Sequence, residues 1–483
     1  METSKPYFFQ SFAILLLSAV FFLLVKEVLP SKLFSDKAGT TKNVLIDSML
    51  IDAFNKQNDI EVLPGDTITN RPIVYDTVDD IRFPTERYDN YTGNQYLISF
   101  YEKLYQMETN GQGNIRIAYF GDSMTDGDMI VQDFRSFFQQ RFGGLGVGFV
   151  AITSESASSR SSVVHEYSRN WKTQSYLNVK RPLRPFGING HVFFANDTTK
   201  PAWTRYKAGK GAYTATLENP TLFYGRSDNR EGAIAHISGK DTVYKALRPD
   251  KLLNTLRVAS TSVKNLKTHF VNADSIPIYG FNFDDGKGVH VDNFSQRGNS
   301  GIPISQFNIP LMNAFQHQLD YDLIVLHYGT NVLNYGSKNF SWYDKSMTRT
   351  VNRLRECFPG VAILIVSTAD KATKYDIQMK TDSAVVPLTH AQKRYAIRTR
   401  SGFVNLFTLM GGDGSITKWA GEEPAYANKD YTHFNFRGSK KIAALLFGQI
   451  SEGYRQYKLL RSNRTATASA PAADTLIPTI ETE

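Results

Sequence analysis

Cysteine is almost absent from this chain of 483 residues, which contains one, Cys357. A single thiol cannot form an internal disulfide, so an oxidised framework is excluded. Cys357 lies in the segment RLRECFPG, at the predicted end of a helix, where we expect it to be a small buried apolar residue. No catalytic context surrounds it, and the sequence therefore does not predict a cysteine nucleophile.

Several motifs that mark other function classes are also missing. The net charge is +9, but no block of Lys and Arg accompanies it, so we expect no nucleic-acid partner. Neither H-E-x-x-H nor zinc-ligand spacing of Cys and His occurs, and we expect no metal or other cofactor. The glycines of RFGGLGVGF follow a predicted helix instead of a strand, which excludes a dinucleotide site. The chain also lacks the G-x-S-x-G elbow of the α/β-hydrolases.

One long hydrophobic run is present, YFFQSFAILLLSAVFFLLV at residues 7–25. It is long enough for a helix that crosses roughly 30 Å of hydrocarbon. Lys26 and Glu27 follow it without a small-x-small cleavage site, so we expect an uncleaved anchor, with a cleaved signal peptide or a buried helix as alternatives. Lysines on both sides indicate the orientation weakly. We expect residues 1–6 in the cytoplasm and the remaining chain on the periplasmic side of the inner membrane.

The rest of the chain divides into regions that differ in composition and in their pattern of predicted strands and helices. Residues 26–95 have mixed composition and are expected to form a stalk or linker. Residues 96–160 and 280–460 alternate predicted strands and helices, which indicates an α/β fold with a doubly wound parallel sheet. Short β runs separated by turn residues fill 161–279 and predict an inserted all-β sandwich domain. Residues 461–483 have few apolar residues and are expected to be disordered.

A serine lies where an open α/β sheet binds its ligands. The β run NIRIAYF ends in Gly121-Asp122-Ser123, before a predicted helix. Ligands bind at the carboxyl ends of such strands, and a helix N-terminus there offers backbone N–H groups to a developing negative charge. Ser123 is therefore a candidate nucleophile, and a plain helix N-cap serine is the alternative.

A serine hydroxyl needs a base, and Asp430-Tyr431-Thr432-His433 offers one. The spacing lets Asp430 hold the Nδ1–H of His433 while Nε2 faces the serine. An ordinary surface-loop histidine is the alternative. His327, at the end of a predicted strand, is expected to be a core histidine in preference to a second base.

Two further segments could stabilise an oxyanion. Asn331 follows a buried-type strand in Gly329-Thr330-Asn331, and its amide could donate a hydrogen bond. Gly298 could bring a bare backbone N–H close to a substrate. Each has a plain turn residue as its alternative, more strongly so for Gly298, and Gly301 lies close to Gly298 in the same short segment.

Taken together and in this order, Gly121-Asp122-Ser123, Gly298, Gly329-x-Asn331 and Asp430-x-x-His433 resemble the four sequence blocks of the SGNH (GDSL-like) hydrolases. The stretch that begins YFGDSMTDGDM is similar to a bacterial subgroup that includes peptidoglycan O-acetylesterases. In that subgroup a β-sandwich is inserted between the serine and glycine blocks, the slot that 161–279 occupies. The resemblance implies an SGNH-type fold, flavodoxin-like with three layers.

The resemblance also implies roles for the block residues. Ser123 would be the nucleophile, His433 the general base and Asp430 the residue that orients it. The oxyanion would be bound by the N–H of Ser123, by Gly298 and by Asn331. Supporting roles would fall to the remaining block residues, Asp122 and Gly329.

The implied activity is a serine esterase that removes acyl groups, chiefly O-acetyl, from a cell-wall or exported polysaccharide such as peptidoglycan. The first alternative is an O-acyltransferase that uses the same triad, supplied by a membrane acyl-transfer partner. The second is a glycan-binding protein without catalysis. Aromatic residues of the inserted domain could stack on sugars or could belong to its core: Trp171, Trp203, Tyr206, Tyr213, Phe223 and Tyr224.

Overall fold

The computed structural model describes residues 13, 16–18, 47–56, 71–196, 200–238, 241–335 and 339–468. The chain divides into two compact units, Met1–Val44 and Leu45–Glu483, and the second contains every element discussed below. The predicted cytoplasmic end at 1–6 and most of the predicted anchor at 7–25 lie outside the described residues. Within the described ranges, none of the helices combines the length and the apolar character that a membrane crossing requires.

The elements alternate between an α/β part and a β-rich part. The strands, in chain order, are β1 (Asn114–Gly121), β2 (Gly148–Val150), β3 (Val163–Tyr167), β4 (Trp171–Ser175), β5 (His191–Ala195), β6 (Ala202–Ala208), β7 (Thr221–Gly225), β8 (Ala233–Ser238), β9 (Asp241–Ala246), β10 (Leu253–Arg257), β11 (Asn265–Val271), β12 (Ile278–Phe283), β13 (Gly288–Asn293), β14 (Leu323–His327), β15 (Ala362–Val366), β16 (Ala372–Tyr375), β17 (Gln378–Thr381) and β18 (Gly402–Val404). The α-helices are α1 (Ser48–Asn55), α2 (Ile98–Asn110), α3 (Val131–Phe142), α4 (Ile309–Leu319), α5 (Thr330–Leu333), α6 (Ser341–Cys357), α7 (Val385–Arg398), α8 (Leu406–Met410), α9 (Ser415–Gly421) and α10 (Phe436–Ala468).

A parallel five-stranded sheet is the centre of the α/β part. Its order is β13-β1-β14-β15-β18, and each neighbouring pair is parallel. Numbered within this sheet, the order is 2-1-3-4-5, which is the flavodoxin-like doubly wound arrangement. The prediction of an α/β fold with a parallel sheet is confirmed.

Side chains of each strand alternate between two buried layers. On β1, Ala118 and Phe120 join the cluster that contains α4, α6 and α7. Ile117 and Tyr119 point the other way, into the cluster that contains α2, α3 and α10. Because helices cover both faces, these strands have the near-continuous apolar sequences of a buried parallel sheet.

The β-rich part consists of two antiparallel sheets. One has the order β10-β7-β12-β5-β4, with β2 also paired to β12, and the other has the order β3-β6-β11-β8-β9. Residues of both sheets share one buried cluster, so the sheets pack face to face. This part extends from Gly148 to Phe283, beyond the expected limits of 161–279. The limits differ because β2 pairs with β12 before the chain returns to the parallel sheet.

The outer face of the six-stranded sheet packs on the α/β part. The Phe315 ring of α4 stacks on Phe223 with centroids 6.0 Å apart and meets the edge of Tyr279 at 5.4 Å. A buried charge network adds to this contact. Arg116 of β1 binds Asp292 on the neighbouring strand and Asp284 just after β12. Apolar packing and paired charges thus fix the sandwich on the sheet.

Two terminal expectations need correction. Residues 47–56 and 71–95 pack on the α/β part instead of forming a stalk, because their apolar side chains, such as Leu50 and Phe83, are buried in its two clusters. At the other end, α10 continues to Ala468, past the expected limit of 461. Arg461 is ordered there by its ion pair with Glu102 of α2, at 2.9 Å. Residues 469–483 lie outside the described residues.

Candidate active site

The strand order brings three of the four sequence blocks to one edge of the sheet. Ser123 follows β1, Gly298 follows β13 and Asn331 follows β14, and these three strands are adjacent. Carboxyl ends of parallel strands meet at the same edge, and the order reverses between β1 and β14, the point where doubly wound folds bind ligands. The fourth block, Asp430 to His433, lies on the loop before α10.

Ser123 lies in a tight turn directly after β1. The carbonyl of Asp122 accepts hydrogen bonds from the N–H groups of Thr125 and Asp126, at 3.2 and 3.0 Å. Gly121 must lack a side chain, because a Cβ there would lie 2.1 Å from the Thr125 hydroxyl. The turn therefore depends on the small residue that precedes it.

The expected helix N-terminus at Ser123 is wrong in detail. Helix α3 begins only at Val131, and a short 3₁₀ turn separates it from the serine. Gly127, Asp128 and Ile130 have φ values of 68°, 67° and 63°, which a continuous helix cannot accommodate. The backbone N–H groups near Ser123 therefore belong to a single turn, and Ser123 does not lie at the N-terminus of a helix.

The loop from Asp430 to His433 is organised by one carboxylate. Asp430 Oδ1 accepts hydrogen bonds from the backbone N–H groups of Thr432 and His433, both at 3.0 Å. Its Oδ2 accepts from His433 Nδ1 at 2.8 Å. The three-residue spacing lets the same side chain fix both the backbone and the ring of His433.

The histidine then reaches the serine. The Ser123 hydroxyl donates to His433 Nε2 at 3.0 Å. With Nδ1–H committed to Asp430, Nε2 is the free acceptor of the imidazole. The structure therefore joins Ser123, His433 and Asp430 through two consecutive hydrogen bonds, the set of contacts that a serine nucleophile, its base and an orienting carboxylate require.

Electrostatics keep Asp430 ionised beside the imidazole. Partial burial would raise its pKa, but the hydrogen bonds from the backbone and ring of His433 and from the Thr432 N–H outweigh that effect and lower the pKa below its usual value. Side-chain exposure is 49% for Asp430 and 40% for His433. The pair is therefore accessible from solvent.

Asp122, beside the serine, has the opposite character. It is 1% exposed, and burial raises its pKa to about 6, against the opposing effects of the Met124 N–H, the nearby His433 and Thr330. Its Oδ1 accepts from the Met124 N–H at 2.9 Å. Asp122 thereby closes the turn, and its Oδ2 is buried without a hydrogen-bond partner among the described residues.

Asn331 and the Gly298 segment are joined directly. The amide of Asn331 donates to the carbonyl of Asn299 at 3.0 Å. Since an amide has two N–H donors, the second is available to a substrate. Gly298 has φ of 76°, a conformation that favours glycine. Gly301 is a poorer donor candidate, because its N–H already donates to the Asn299 side chain at 2.9 Å.

Gly329 supports the same edge through its lack of a side chain. Its φ is 146°, and a Cβ there would lie 2.6 Å from the Cβ of Thr368. The strand end carrying Asn331 can thus approach the neighbouring strand closely.

His327, two residues before Gly329, is buried. It forms a hydrogen bond with Tyr119 Oη at 2.8 Å, and burial lowers its pKa to about 4. It is the core histidine that the sequence predicted.

A cavity of about 340 Å³ adjoins the serine and glycine segments. One wall is formed by residues that follow Ser123 and precede Gly298, including Asp126 and Arg297. The facing wall belongs to the sandwich and includes Arg169 and Trp171. Ser123 and His433 are not part of the lining, so the cavity flanks the reacting groups without enclosing them.

The aromatic residues singled out in the sandwich divide between core and surface. Tyr206, Phe223 and Tyr224 are buried. Trp203 and Tyr213 are half-buried, as is Trp171, which alone of the set lines the cavity. Sequence reasoning also missed three residues that hold the site, Asn299, Ser300 and Asp47. None of them carries a motif of its own, and their contacts join segments far apart in the chain.

Neither a family model nor a curated protein matches the sequence. Solved structures do match. A peptidoglycan O-acetylesterase has 20% sequence identity and a TM-score of 0.61, with 74% of this chain and 96% of that chain covered. This chain has the SGNH hydrolase fold. The resemblance recognised in the four sequence blocks is thereby confirmed at the level of the fold. A family two carbohydrate esterase from Cellvibrio japonicus also matches, at 10% identity and TM-score 0.24, over 61% of this chain and 98% of that one.

Proposed function

We propose that this chain is a serine esterase that removes acyl groups, chiefly O-acetyl, from a polysaccharide such as peptidoglycan. The observation that carries the proposal is the continuous set of hydrogen bonds from Ser123 through His433 to Asp430, at 3.0 and 2.8 Å. The fold shared with a solved peptidoglycan O-acetylesterase supports the substrate class.

In the first step, Ser123 Oγ attacks the acyl carbonyl carbon while its proton passes to His433 Nε2. The carbonyl oxygen becomes an oxyanion, which the Ser123 and Gly298 N–H groups and the Asn331 amide would stabilise. Collapse of this intermediate breaks the bond to the sugar oxygen. That oxygen takes the proton from His433 and leaves as a hydroxyl, and an acyl-serine remains.

The second step reverses these roles. His433 removes a proton from a water molecule as the water oxygen attacks the acyl-serine. The tetrahedral intermediate uses the same oxyanion donors and collapses to release the carboxylic acid. Ser123 Oγ recovers its proton from His433, so the enzyme returns to its starting state.

The cavity beside the site would position the glycan. It is lined by the half-buried Trp171, which would contact a sugar, and by Arg169 and Arg297, which would meet polar or anionic groups of a polymer. Because one wall belongs to the sandwich and the other to the loops around Ser123, a bound chain would present its ester to the serine.

We also propose that residues 7–25 anchor the chain in the inner membrane, with the catalytic part on the periplasmic side. The apolar sequence of that segment supports this placement. A substrate in the cell wall or in export would then lie within reach of the tethered enzyme.

The test is acetate release by the purified protein from a small acetyl ester and from O-acetylated peptidoglycan, with Ser123→Ala as the paired variant. We expect both substrates to be cleaved and the variant to be inactive. Retained cleavage by Ser123→Ala would contradict the assignment. Acetate transfer to an added glycan acceptor in place of release to water would favour an O-acyltransferase with the same triad.

A further inference from the structure

Asp47 begins α1 and connects it to the candidate site. Its Oδ1 accepts from the N–H groups of Met49 and Leu50, both at 3.0 Å, as an N-cap residue does. Its Oδ2 accepts from the Ser300 N–H at 3.0 Å and also from the Ser300 hydroxyl. The carboxylate is 3% exposed, so these bonds are made away from water.

Ser300 lies in the segment that follows Gly298, and other bonds hold it from the opposite side. The Ser300 carbonyl accepts from Tyr343 Oη at 2.8 Å. Its hydroxyl oxygen accepts from the Ile302 N–H at 3.3 Å. With Asp47 on one side and α6 on the other, Ser300 has little freedom to move.

The next residue toward the active site transmits this restraint. Asn299 is fully buried, and its carbonyl accepts the Asn331 amide at 3.0 Å. A continuous path of hydrogen bonds and one peptide link thus leads from Asp47 through Ser300 and Asn299 to Asn331. Oxyanion donors act through fixed placement, because donors that must reorganise during the reaction lose most of their effect.

We propose that Asp47 is a positioning residue that holds Gly298 and Asn331 in their oxyanion-binding geometry. The inference rests on the proposed esterase function and deepens it. It also gives the segment after the predicted membrane anchor a part in catalysis. Asp47, the N-cap of α1, binds a loop that lies 253 positions later in the chain.

Docking of α1 does not depend on Asp47 alone. Leu50 is buried, and Phe54 contacts Tyr335 and Trp342 with ring centroids 5.2 and 5.8 Å apart. An amide at position 47 could still cap the helix through its oxygen. Its NH₂ group would face the Ser300 N–H, a donor against a donor, so the loop contact would be lost selectively.

The experiment compares Asp47→Asn with Asp52→Asn in the full chain. Asp52 lies on the same helix and pairs with Lys180 at 2.6 Å, with half of its side chain exposed. On a small acetyl ester, we expect Asp47→Asn to lower kcat by roughly tenfold or more, less than the 10²–10³ typical of removing a donor outright. KM should stay within about twofold, since ground-state binding is unchanged. Asp52→Asn should match the wild type.

A second readout separates positioning from damage to the fold. A boronic acid that forms a tetrahedral adduct on serine should bind Asp47→Asn more weakly by about the same factor as kcat falls. Active-site titration gives kcat per competent site, so partial unfolding does not imitate the effect. Ser300→Ala, which removes the hydroxyl and keeps the N–H, should show a smaller loss and serves if Asp47→Asn does not fold.

Three outcomes overturn the inference. The first is kcat within about twofold of the wild type in Asp47→Asn or, if that variant does not fold, in Ser300→Ala. The second is an equal loss in Asp52→Asn, which would assign the effect to the helix. The third is a rise in KM with unchanged kcat. An inactive wild type would instead contradict the proposed function, so the two failures are distinguishable.

Discussion

The loop with Asp430 and His433 lies at the surface, whereas the segments around Ser123 and Asn331 rest on buried polar groups. Asp430 holds His433 through contacts within four consecutive residues. On the other side, Asp122 and Asn299 are buried beneath the Ser123 turn and the segment that contains Asn331. A base can be oriented locally, but oxyanion donors from separate strands must be fixed by contacts that cross the fold.

The largest effect on activity should come from replacing His433, on the surface loop. His433→Ala removes the proton acceptor, and we expect kcat/KM on a small acetyl ester to fall by roughly 10⁴ or more. His317→Ala is the control, because that histidine is exposed on α4. Steady-state kinetics of both variants give the comparison. Activity of His433→Ala close to that of the control would exclude this histidine as the base.

Removing one oxyanion donor should lower activity less than removing His433. Asn331→Ala loses one oxyanion contact, and kcat should fall by roughly 10²–10³ with KM little changed. Asn334→Ala is a matched control, since this exposed asparagine lies three positions further and bonds Lys371 at 2.7 Å. If KM rises and kcat is unaffected, Asn331 binds the ground state and the oxyanion role is wrong.

Because Asp122 is buried, it should make the free energy of unfolding depend on pH. Its folded pKa of about 6 exceeds the unfolded value near 3.8, so the folded state keeps a proton that the unfolded state loses. The resulting contribution is complete below the unfolded pKa and disappears as pH rises through about 6. Between about pH 4 and pH 7 the free energy of unfolding should fall by roughly 2 kcal/mol on this account.

Asp122→Asn removes that titration. Urea unfolding of the wild type and the variant at both pH values gives the difference in slope, and Asp320→Asn, at an exposed carboxylate, controls for general charge effects. We expect the pH dependence of Asp122→Asn to be flatter than that of the wild type. Parallel curves for the two proteins would show that burial does not perturb this carboxyl.

The smallest effect concerns the cavity that both parts of the fold share. Arg169→Ala should raise KM for O-acetylated glycan several-fold, with a smaller change for a small acetyl ester that does not reach the sandwich. Arg226→Ala, at another exposed arginine of the β-rich part, is the control. Equal changes for both substrates would remove the cavity from glycan binding.

The same contrast explains how much the sequence could predict. The contacts of Asp430 with His433 join residues three positions apart, so their spacing suggested the pair. The parallel sheet could be predicted because its strands are apolar runs between helical patterns. The bracing of Ser300 by Asp47 could not, because the two residues are 253 positions apart and neither has a distinctive context. The limits of the β-rich part were missed for a similar reason, since β2 is short and its partner β12 is distant in the chain.

The most direct test of the central claim is covalent labelling by an alkyl fluorophosphonate, followed by peptide mass spectrometry. A serine activated by His433 should take up one equivalent of reagent, on Ser123 alone. Labelling should be absent in Ser123→Ala and much slower in His433→Ala. A wild-type protein that stays unlabelled, or that carries the adduct on another residue, would contradict the account.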